Sequence, residues 1–303
     1  MSASAGLVEI PASLHQTSGL AHNDRGSHFM PARQGIPMNR QAFLRFVQVC
    51  AVMIAATVVS AASAQPGMGL GLPGNGPDDT PDIAGEFAFV RVQYDSYYQG
   101  GFGFGPWSVD FPDADRNFLR GVARLSNVRV MPEPIVLRLD DERIFEYPFL
   151  YALEVGRNGG PYFSPSELGN LREYLLRGGF LLIDDFWGTR EWQAFENAFS
   201  AVFPEREIVR LPADHEIFRV YYDTGGPQMV PALGNADNMP ERDVAEASVH
   251  AILDDDGRIM VLINWNTDMG DGWEHTYHPR YPTRFANLAY QLGLNYLIYS
   301  MTH

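Results

Sequence analysis

The chain has 303 residues with a formal net charge of −15, and its 22 basic side chains are all arginine. The absence of lysine excludes Schiff-base chemistry and a phosphate-binding P-loop, because both require a lysine amine. The strong acidity disfavours nucleic acids and anionic membrane surfaces as partners, since binding to either depends on clustered basic side chains.

The N-terminal segment predicts an export signal behind an upstream extension. Residues 1–37 show no apolar periodicity, whereas residues 38–64 carry two arginines, a short apolar run and an Ala-Ser-Ala cleavage motif. We expect translation to start at Met38, cleavage after Ala64 and a periplasmic or secreted protein. An uncleaved signal would anchor the protein in the inner membrane, and it is the one membrane contact that the sequence predicts.

Two further segments follow the signal. Residues 65–84 are rich in glycine and proline, which is typical of a flexible linker, and residues 85–303 are predicted to form one α/β domain. The single cysteine, Cys50, lies inside the predicted signal. The mature protein would therefore have no disulfide, no thiolate metal ligand and no cysteine nucleophile.

Short apolar runs alternate with helical stretches along the domain. The helix after Phe163 has the clearest signals: Ser164 as N-cap, Glu167 closing a capping box and Gly178 as a left-handed cap. Alternating elements with continuously apolar strands favour a mostly parallel sheet covered on both faces. Strands are predicted at residues 86–94, 148–155, 180–184 and 207–211, a hairpin at 248–264, and helices at 113–126, 164–179, 189–203 and 282–301.

Asp184 and Asp185 end a strand that reads as central to the sheet. Ligands of parallel α/β folds bind at the carboxyl ends of strands, and successive side chains point to opposite faces. We expect one of the two acids to face a crevice, as a general base or a metal ligand, while the other caps the turn or the helix from Thr189. The alternative is that both only cap backbone amides.

Five stretches together resemble a bacterial family known as domain of unknown function 4159: FEYPFLYALEVG, FSPSELGNLREYLLRGGFLLIDDFWG, FPEREIVRLPADHEIF, NWNTDMGDGWE and LGLNYLIYSMTH. The resemblance implies a flavodoxin-like, three-layer α/β/α single domain, similar to class I glutamine amidotransferase-like domains. Those enzymes place a catalytic cysteine on a strand-to-helix elbow. The corresponding turn here is LIDDFWG or LEVGRNGG, and neither holds cysteine, so an amidotransferase mechanism is excluded. The resemblance implies a fold and no activity.

His215 is the most chemically capable residue of the stretch LPADHEIF, where it lies between Asp214 and Glu216. A histidine beside acids can shuttle protons or bind a metal. The alternative is a loop histidine held by local hydrogen bonds.

The stretch NWNTDMGDGWEHTYH follows a strong strand and resembles a calcium loop poorly, because Met269 replaces the glycine and His275 the distal glutamate. His275 and His278 could bind zinc, but a third ligand is not apparent. We therefore predict a glycine-rich loop beside the crevice, as in polar and aromatic carbohydrate sites, and neither a metal ion nor a cofactor. The predicted ligand-binding residues are Asn264, Asn266, Asp268, Trp273 and Glu274.

The run from Tyr97 to Trp107, YYQGGFGFGPW, combines aromatic residues with glycines. It could form a mobile flap over the site or a surface loop whose rings pack on the sheet.

Two functions fit these observations, and whether the protein is an enzyme stays open. The first is a non-catalytic ligand-binding or interaction domain of the cell envelope, with a carbohydrate or a protein as its partner. The second is a hydrolase that uses Asp184 or Asp185 with His215, with or without a metal ion. Convergence of these side chains around a partly exposed His215 would favour the hydrolase.

Overall fold

A seven-stranded sheet lies at the centre of the computed structural model, which describes residues 87–96, 105–236 and 241–303. The predicted signal, the linker and most of the aromatic-glycine run lie outside these residues. The strands are β1 (Val90–Gln93), β2 (Asp95–Ser96), β3 (Ile135–Arg138), β4 (Phe149–Leu153), β5 (Pro161–Tyr162), β6 (Phe180–Asp184), β7 (Val209–Arg210), β8 (Ser248–Leu253) and β9 (Ile259–Trp265).

The sheet has the order β3-β1-β4-β6-β9-β8-β7, and β2 pairs with β5 separately. The first five of these strands are parallel, whereas β8 runs antiparallel to both of its neighbours. Numbered along the chain, the parallel strands follow the order 2-1-3-4-5 of flavodoxin-like folds. From β1 the chain first adds β3 on one side and then adds β4 on the other side. A ligand crevice is therefore expected at the carboxyl ends of β1 and β4.

Helices cover both faces of the sheet, which confirms the predicted three-layer α/β/α domain. They are α1 (Asp113–Leu125), α2 (Pro165–Leu176), α3 (Gly188–Phe199), α4 (Met269–Glu274) and α5 (Thr283–Thr302). One apolar cluster packs α1, α4 and α5 against the sheet, and a second packs α2 and α3 against the opposite face. In the described part of the chain, no helix is both long and apolar enough to cross a membrane.

Local signals explain several of these elements. The Ser164 hydroxyl accepts a hydrogen bond from the Glu167 amide, and the Glu167 carboxylate accepts one from the Ser164 amide, as the capping box predicts. Gly178 has φ 109, the left-handed conformation that ends α2. The predicted hairpin is β8 and β9, with Asp254 accepting from the amides of Asp256 and Arg258 in the turn.

Two local expectations are wrong. In the sequence, Phe118, Val122 and Leu125 share one face of the predicted helix, which favours burial of all three, yet Leu125 is 43% exposed because the helix ends there. Strand β3 was not predicted, because its four residues form the edge of the sheet and most of them are only partly buried, so they lack a continuous apolar signal.

A buried ion pair between Arg91 of β1 and Asp115 of α1 fastens the helix to the sheet. Arg91 Nε donates to Asp115 Oδ2 at 2.9 Å, and Arg91 Nη1 donates to the carbonyls of Trp107 at 3.1 Å and Val109 at 2.9 Å. Both charged side chains are fully buried. Arg91 therefore also fixes the segment that leads directly to Asp110.

We predict that Asp115→Asn lowers the free energy of unfolding by about 3–5 kcal/mol, because it leaves the Arg91 charge buried without its counter-charge. The double variant Arg91→Met/Asp115→Leu should lose much less, since it removes both charges. Urea unfolding followed by circular dichroism measures both. Glu133→Gln is the control, because its exposed pair with Arg116 should contribute under about 1 kcal/mol. Equal losses for Asp115→Asn and Glu133→Gln would contradict the assignment.

Candidate functional site

Acidic residues gather at the carboxyl edge of the parallel strands. Glu154 directly follows β4, Asp185 directly follows β6 and Asp268 lies three residues after β9. Asp110 comes to the same edge from the segment that precedes α1, where Arg91 holds the neighbouring carbonyls. The candidate site thus combines four separate segments of the chain.

Asp184 has a structural role at this edge. Its Oδ2 accepts from the Tyr151 hydroxyl at 2.9 Å, the Met269 amide at 2.9 Å and the Gly270 amide at 3.3 Å. Its Oδ1 accepts from Asn264 Nδ2 at 3.2 Å. Burial raises the pKa of Asp184 to about 6, against the opposing effect of these hydrogen bonds. The carboxylate caps α4 and not α3, which corrects the expectation that it would cap the helix from Thr189.

Asp185 instead belongs to a group of three acids, Asp110, Asp185 and Asp268, which we call the acid cluster. One carboxylate oxygen from each residue lies within 4.8 Å of the others. Trp187 Nε1 donates to Asp185 Oδ1 at 2.8 Å, and Asp268 Oδ1 accepts from the Asp271 amide at 2.7 Å. Asp110 Oδ2 is buried and has no hydrogen-bond partner. The structure therefore gives the two neighbouring aspartates different roles.

The backbone at this edge adopts an uncommon conformation. Asp110 (φ 61), Glu154 (φ 55), Asp185 (φ 52) and Asn266 (φ 60) are all in the left-handed region. Non-glycine residues rarely occupy this region, and such residues cluster at functional sites. Glu154 and Asp185 lie in the two turns that the family resemblance matches to a catalytic elbow. Their backbones touch, because the Glu154 amide donates to the Asp185 carbonyl at 3.1 Å.

The acid cluster is electrostatically unfavourable when all three groups are ionised. Burial raises the pKa of Asp110, Asp185 and Asp268 well above the usual range, and neighbouring carboxylates raise each of them further. The Arg91 charge lowers the pKa of Asp110, but Arg91 already pairs with Asp115. Buried carboxylates in this situation either hold a proton or bind a cation.

Glu154 adds a further buried carboxyl beside the cluster. Burial raises its pKa to about 7, although the nearby Arg157 guanidinium lowers it. Its exposed fraction is only 6%, in spite of the ion pair with the partly exposed Arg157.

Three predicted ligand-binding residues are structural. Asn264 is fully buried and accepts from the Tyr296 hydroxyl at 3.2 Å in addition to its bond with Asp184. Asn266 accepts from the Gly188 amide at 2.8 Å and donates to the Glu246 carbonyl at 2.9 Å. Trp273 is fully buried, and its ring lies 4.4 Å from that of Phe118. They hold the edge in place and do not line a crevice.

His215 lies away from the acid cluster. Its Nδ1 accepts from the Ile217 amide at 3.2 Å, and its ring is 6.3 Å from the ring of Tyr299. The Tyr299 hydroxyl accepts from the amide of Ile259, the first residue of β9, so this region belongs to the amino edge of the sheet. The structure therefore does not pair His215 with either strand-end aspartate.

Glu274 belongs to a second group, which we call the helix-end cluster and define as Asp271, Glu274 and His275. His275 Nε2 lies 3.5 Å from Asp271 Oδ1 and 3.3 Å from Glu274 Oε2. These residues form α4 and its C-cap, where the sequence predicted a glycine-rich loop. The pairing of His275 with His278, which the sequence offered as a zinc site without a third ligand, does not form a three-residue cluster among the described residues. His278 Nδ1 instead accepts from the Arg280 amide at 3.3 Å.

Comparison with protein families gives one result for this domain. The model of a family described as a domain of unknown function, DUF4159, matches residues 88–301. The chain belongs to the DUF4159 family. The family membership inferred from the sequence is thereby confirmed, whereas the likeness to glutamine amidotransferases stays a prediction. A comparison with curated proteins returned no significant match.

Asp110 and Glu154 are the residues of the DUF4159 site that sequence reasoning missed. Asp110 precedes a helix far from the other acids in the chain, and no local spacing connects it with them. Glu154 has a usable signal, because it follows a continuously apolar strand as Asp185 does. Because ligands of parallel α/β folds bind at the carboxyl ends of strands, a polar residue at the end of any parallel strand is a candidate, and Glu154 meets this criterion.

We predict that the DUF4159 domain becomes more stable on mild acidification. The folded pKa of Glu154 is about 7, against an ordinary value of 4.5. Between these values the folded protein holds a proton that the unfolded chain has released, so stability rises as pH falls through this window. Glu154→Gln should reduce the gain in the free energy of unfolding between about pH 8 and pH 5 by on the order of 2 kcal/mol, which urea unfolding at each pH measures. Equal slopes for the two proteins would refute the prediction.

We also predict that Asp184→Asn lowers the free energy of unfolding by about 2–4 kcal/mol, because an amide places a donor where the carboxylate accepts. Thermal and urea unfolding both measure the loss. Asp255→Asn is the control, since that side chain is 92% exposed. A loss no greater than that of the control would contradict the structural role of Asp184.

Proposed function

We propose that this DUF4159 domain binds a divalent cation at the acid cluster and, through it, a ligand at the carboxyl edge of the sheet. The supporting observation is Asp110, whose carboxylate lies with those of Asp185 and Asp268 and whose Oδ2 is buried without a hydrogen-bond partner. Oxygen-only sites suit hard cations such as Mg²⁺, Ca²⁺ and Mn²⁺. The sequence alone predicted no metal site, because Asp110 was not associated with the other two acids.

The proposed role is a non-catalytic, ligand-binding domain of an exported protein. A cation held by three carboxylates keeps coordination positions for oxygen atoms of a ligand, since Ca²⁺ takes 6–8 oxygen ligands. Its position beside the change of direction between β1 and β4 suits a ligand crevice. The predicted signal at residues 38–64 supports a periplasmic or secreted location, where a cell-envelope carbohydrate would be the matching oxygen-rich partner.

A metal-assisted hydrolase is the second candidate. It is favoured by Glu154, a further buried carboxyl that is close enough to Asp185 to raise the pKa of Asp185. A carboxylate in this position can accept a proton from cation-activated water. His215 has no part in this version, because it lies at the amino edge of the sheet.

Thermal unfolding with and without cations tests the proposal. The protein, treated with chelator, should gain several degrees in Tm at saturating Mg²⁺, Ca²⁺ or Mn²⁺, corresponding to about 2–4 kcal/mol of linkage. Asp185→Asn should abolish this gain and raise the Tm in chelator, because it removes a repulsive charge and keeps an acceptor for Trp187. A merely structural Asp185 would give the opposite sign in chelator.

His215→Ala is the matched control and should keep the full response to the cation. The proposal fails if the Tm in chelator and in cation are equal, or if Asp185→Asn keeps the response. Chromogenic ester, phosphoester and glycoside substrates separate the two functions. Cation-dependent turnover that Glu154→Gln removes would favour the hydrolase, whereas cation binding without turnover supports the binding domain.

A further inference from the structure

The helix-end cluster brings three metal-ligating side chains to one face at the end of α4. Asp271, Glu274 and His275 are related by spacings of three and four residues, which place side chains on the same side of a helix. One ligand atom from each lies within 4.8 Å of the others. All three side chains are partly exposed, so an ion can reach them from solvent.

The distances within this cluster fit metal ligation better than hydrogen bonding. His275 Nε2 is 3.5 Å from Asp271 Oδ1 and 3.3 Å from Glu274 Oε2. Both distances exceed the usual range of an N–H···O hydrogen bond, about 2.7–3.2 Å. Ligands bonded at about 2.0–2.1 Å in a tetrahedral site lie roughly 3.3–3.4 Å from one another. The ring nitrogen therefore stands at about the separation of two ligands of one ion from each oxygen, and the ligand oxygens of Asp271 and Glu274 lie within 4.8 Å of each other.

A second observation, separate from the helix-end cluster itself, comes from Asp110, a member of the acid cluster that also approaches the helix-end cluster. It belongs to the acid cluster, and its carboxyl is within hydrogen-bonding reach of the Glu274 carboxyl. Its Oδ2 is buried without a partner. A Cβ atom at Gly270 would clash with this oxygen, so the glycine allows Asp110 to approach α4 closely. A carboxylate that belongs to one set of ligands, reaches a member of the other and keeps one oxygen without a partner is placed as a bridging ligand would be.

We propose that Asp271, Glu274 and His275 bind a second metal ion, and that Asp110 bridges it to the cation of the acid cluster. This inference rests on the proposed function and extends it to a two-metal site. An imidazole ligand shifts the preference of the second ion towards transition metals such as Zn²⁺ or Fe²⁺, whereas the acid cluster offers only oxygen atoms. The Leu233 amide donates to Asp271 Oδ2, which orients this ligand.

A pair of neighbouring cations defines the class of ligand. Two-metal sites with ions about 3.5–4 Å apart clamp anionic oxygen groups, because each ion binds one oxygen of the same group. The ligand class is therefore a phosphate or carboxylate group, or a carbohydrate that carries one. The proposed class of oxygen-rich ligand is thereby restricted to anionic ones. The two bound cations would also explain how a strongly acidic protein binds an anion.

Metal counting tests the second site. The chelator-treated full-length protein is dialysed against Mn²⁺, and the bound metal is measured by mass spectrometry. We expect two equivalents in the wild type and one in His275→Ala or Glu274→Gln. His278→Ala, which alters a neighbouring histidine outside the cluster, should keep two. Electron paramagnetic resonance should detect spin coupling between two Mn²⁺ ions in the wild type and an uncoupled signal in His275→Ala.

The outcomes separate this inference from the proposed function. One equivalent that Asp185→Asn removes and His275→Ala keeps would overturn the second site and leave the first. No bound metal in the wild type would overturn both. Two equivalents that persist in both His275→Ala and Glu274→Gln would also refute the second site. Each variant is first compared with the wild type by circular dichroism, and agreement between the two helix-end variants excludes a folding defect in either one.

Discussion

Four hydrogen bonds to the buried carboxyl of Asp184 hold the carboxyl edge of the sheet together. They come from Tyr151 of β4, Asn264 of β9 and the first two amides of α4, so a single side chain connects two neighbouring strands and a helix to β6. Because Asp184 makes these structural hydrogen bonds, the neighbouring Asp185 can take part in the acid cluster. The same bonds place α4, and hence both Asp268 and the helix-end cluster. The candidate site thus depends on an acid that does not itself belong to it.

The edge is assembled at a cost in stability. Four non-glycine residues there have left-handed backbones, and each such residue typically costs about 1–3 kcal/mol. Burying three carboxylates together adds electrostatic repulsion. Arg91 could neutralise this charge, but it is used to fix α1 and the segment before Asp110. Strain and repulsion of this kind persist when the rest of the fold over-determines the site, and they are a common compromise between stability and function.

The sequence predicts the fold better than the site. Continuous apolar strands, the capping box at Ser164 and the hairpin at residues 248–264 are predicted from local signals, and the structure contains each of them. The strand-end rule also placed Asp185 and Asp268 at the carboxyl edge. It failed for His215, because the chain turns back after β7 and packs against the end of α5. Asp110 could not be found from sequence, since a buried ion pair on another strand brings it to the site.

The role of arginine in this chain bears on how the site is neutralised. Arg138, Arg172 and Arg258 form surface or partly buried pairs that fasten helices and turns, and Arg91 does the same in the core. Among the described residues, no arginine donates a hydrogen bond to a side chain of the acid cluster. Although many other acids of the described chain pair with arginine, the three aspartates of the acid cluster have no arginine as a hydrogen-bond donor. Their charge is then balanced by protons or by bound metal ions, and the unpartnered oxygen of Asp110 favours the metal.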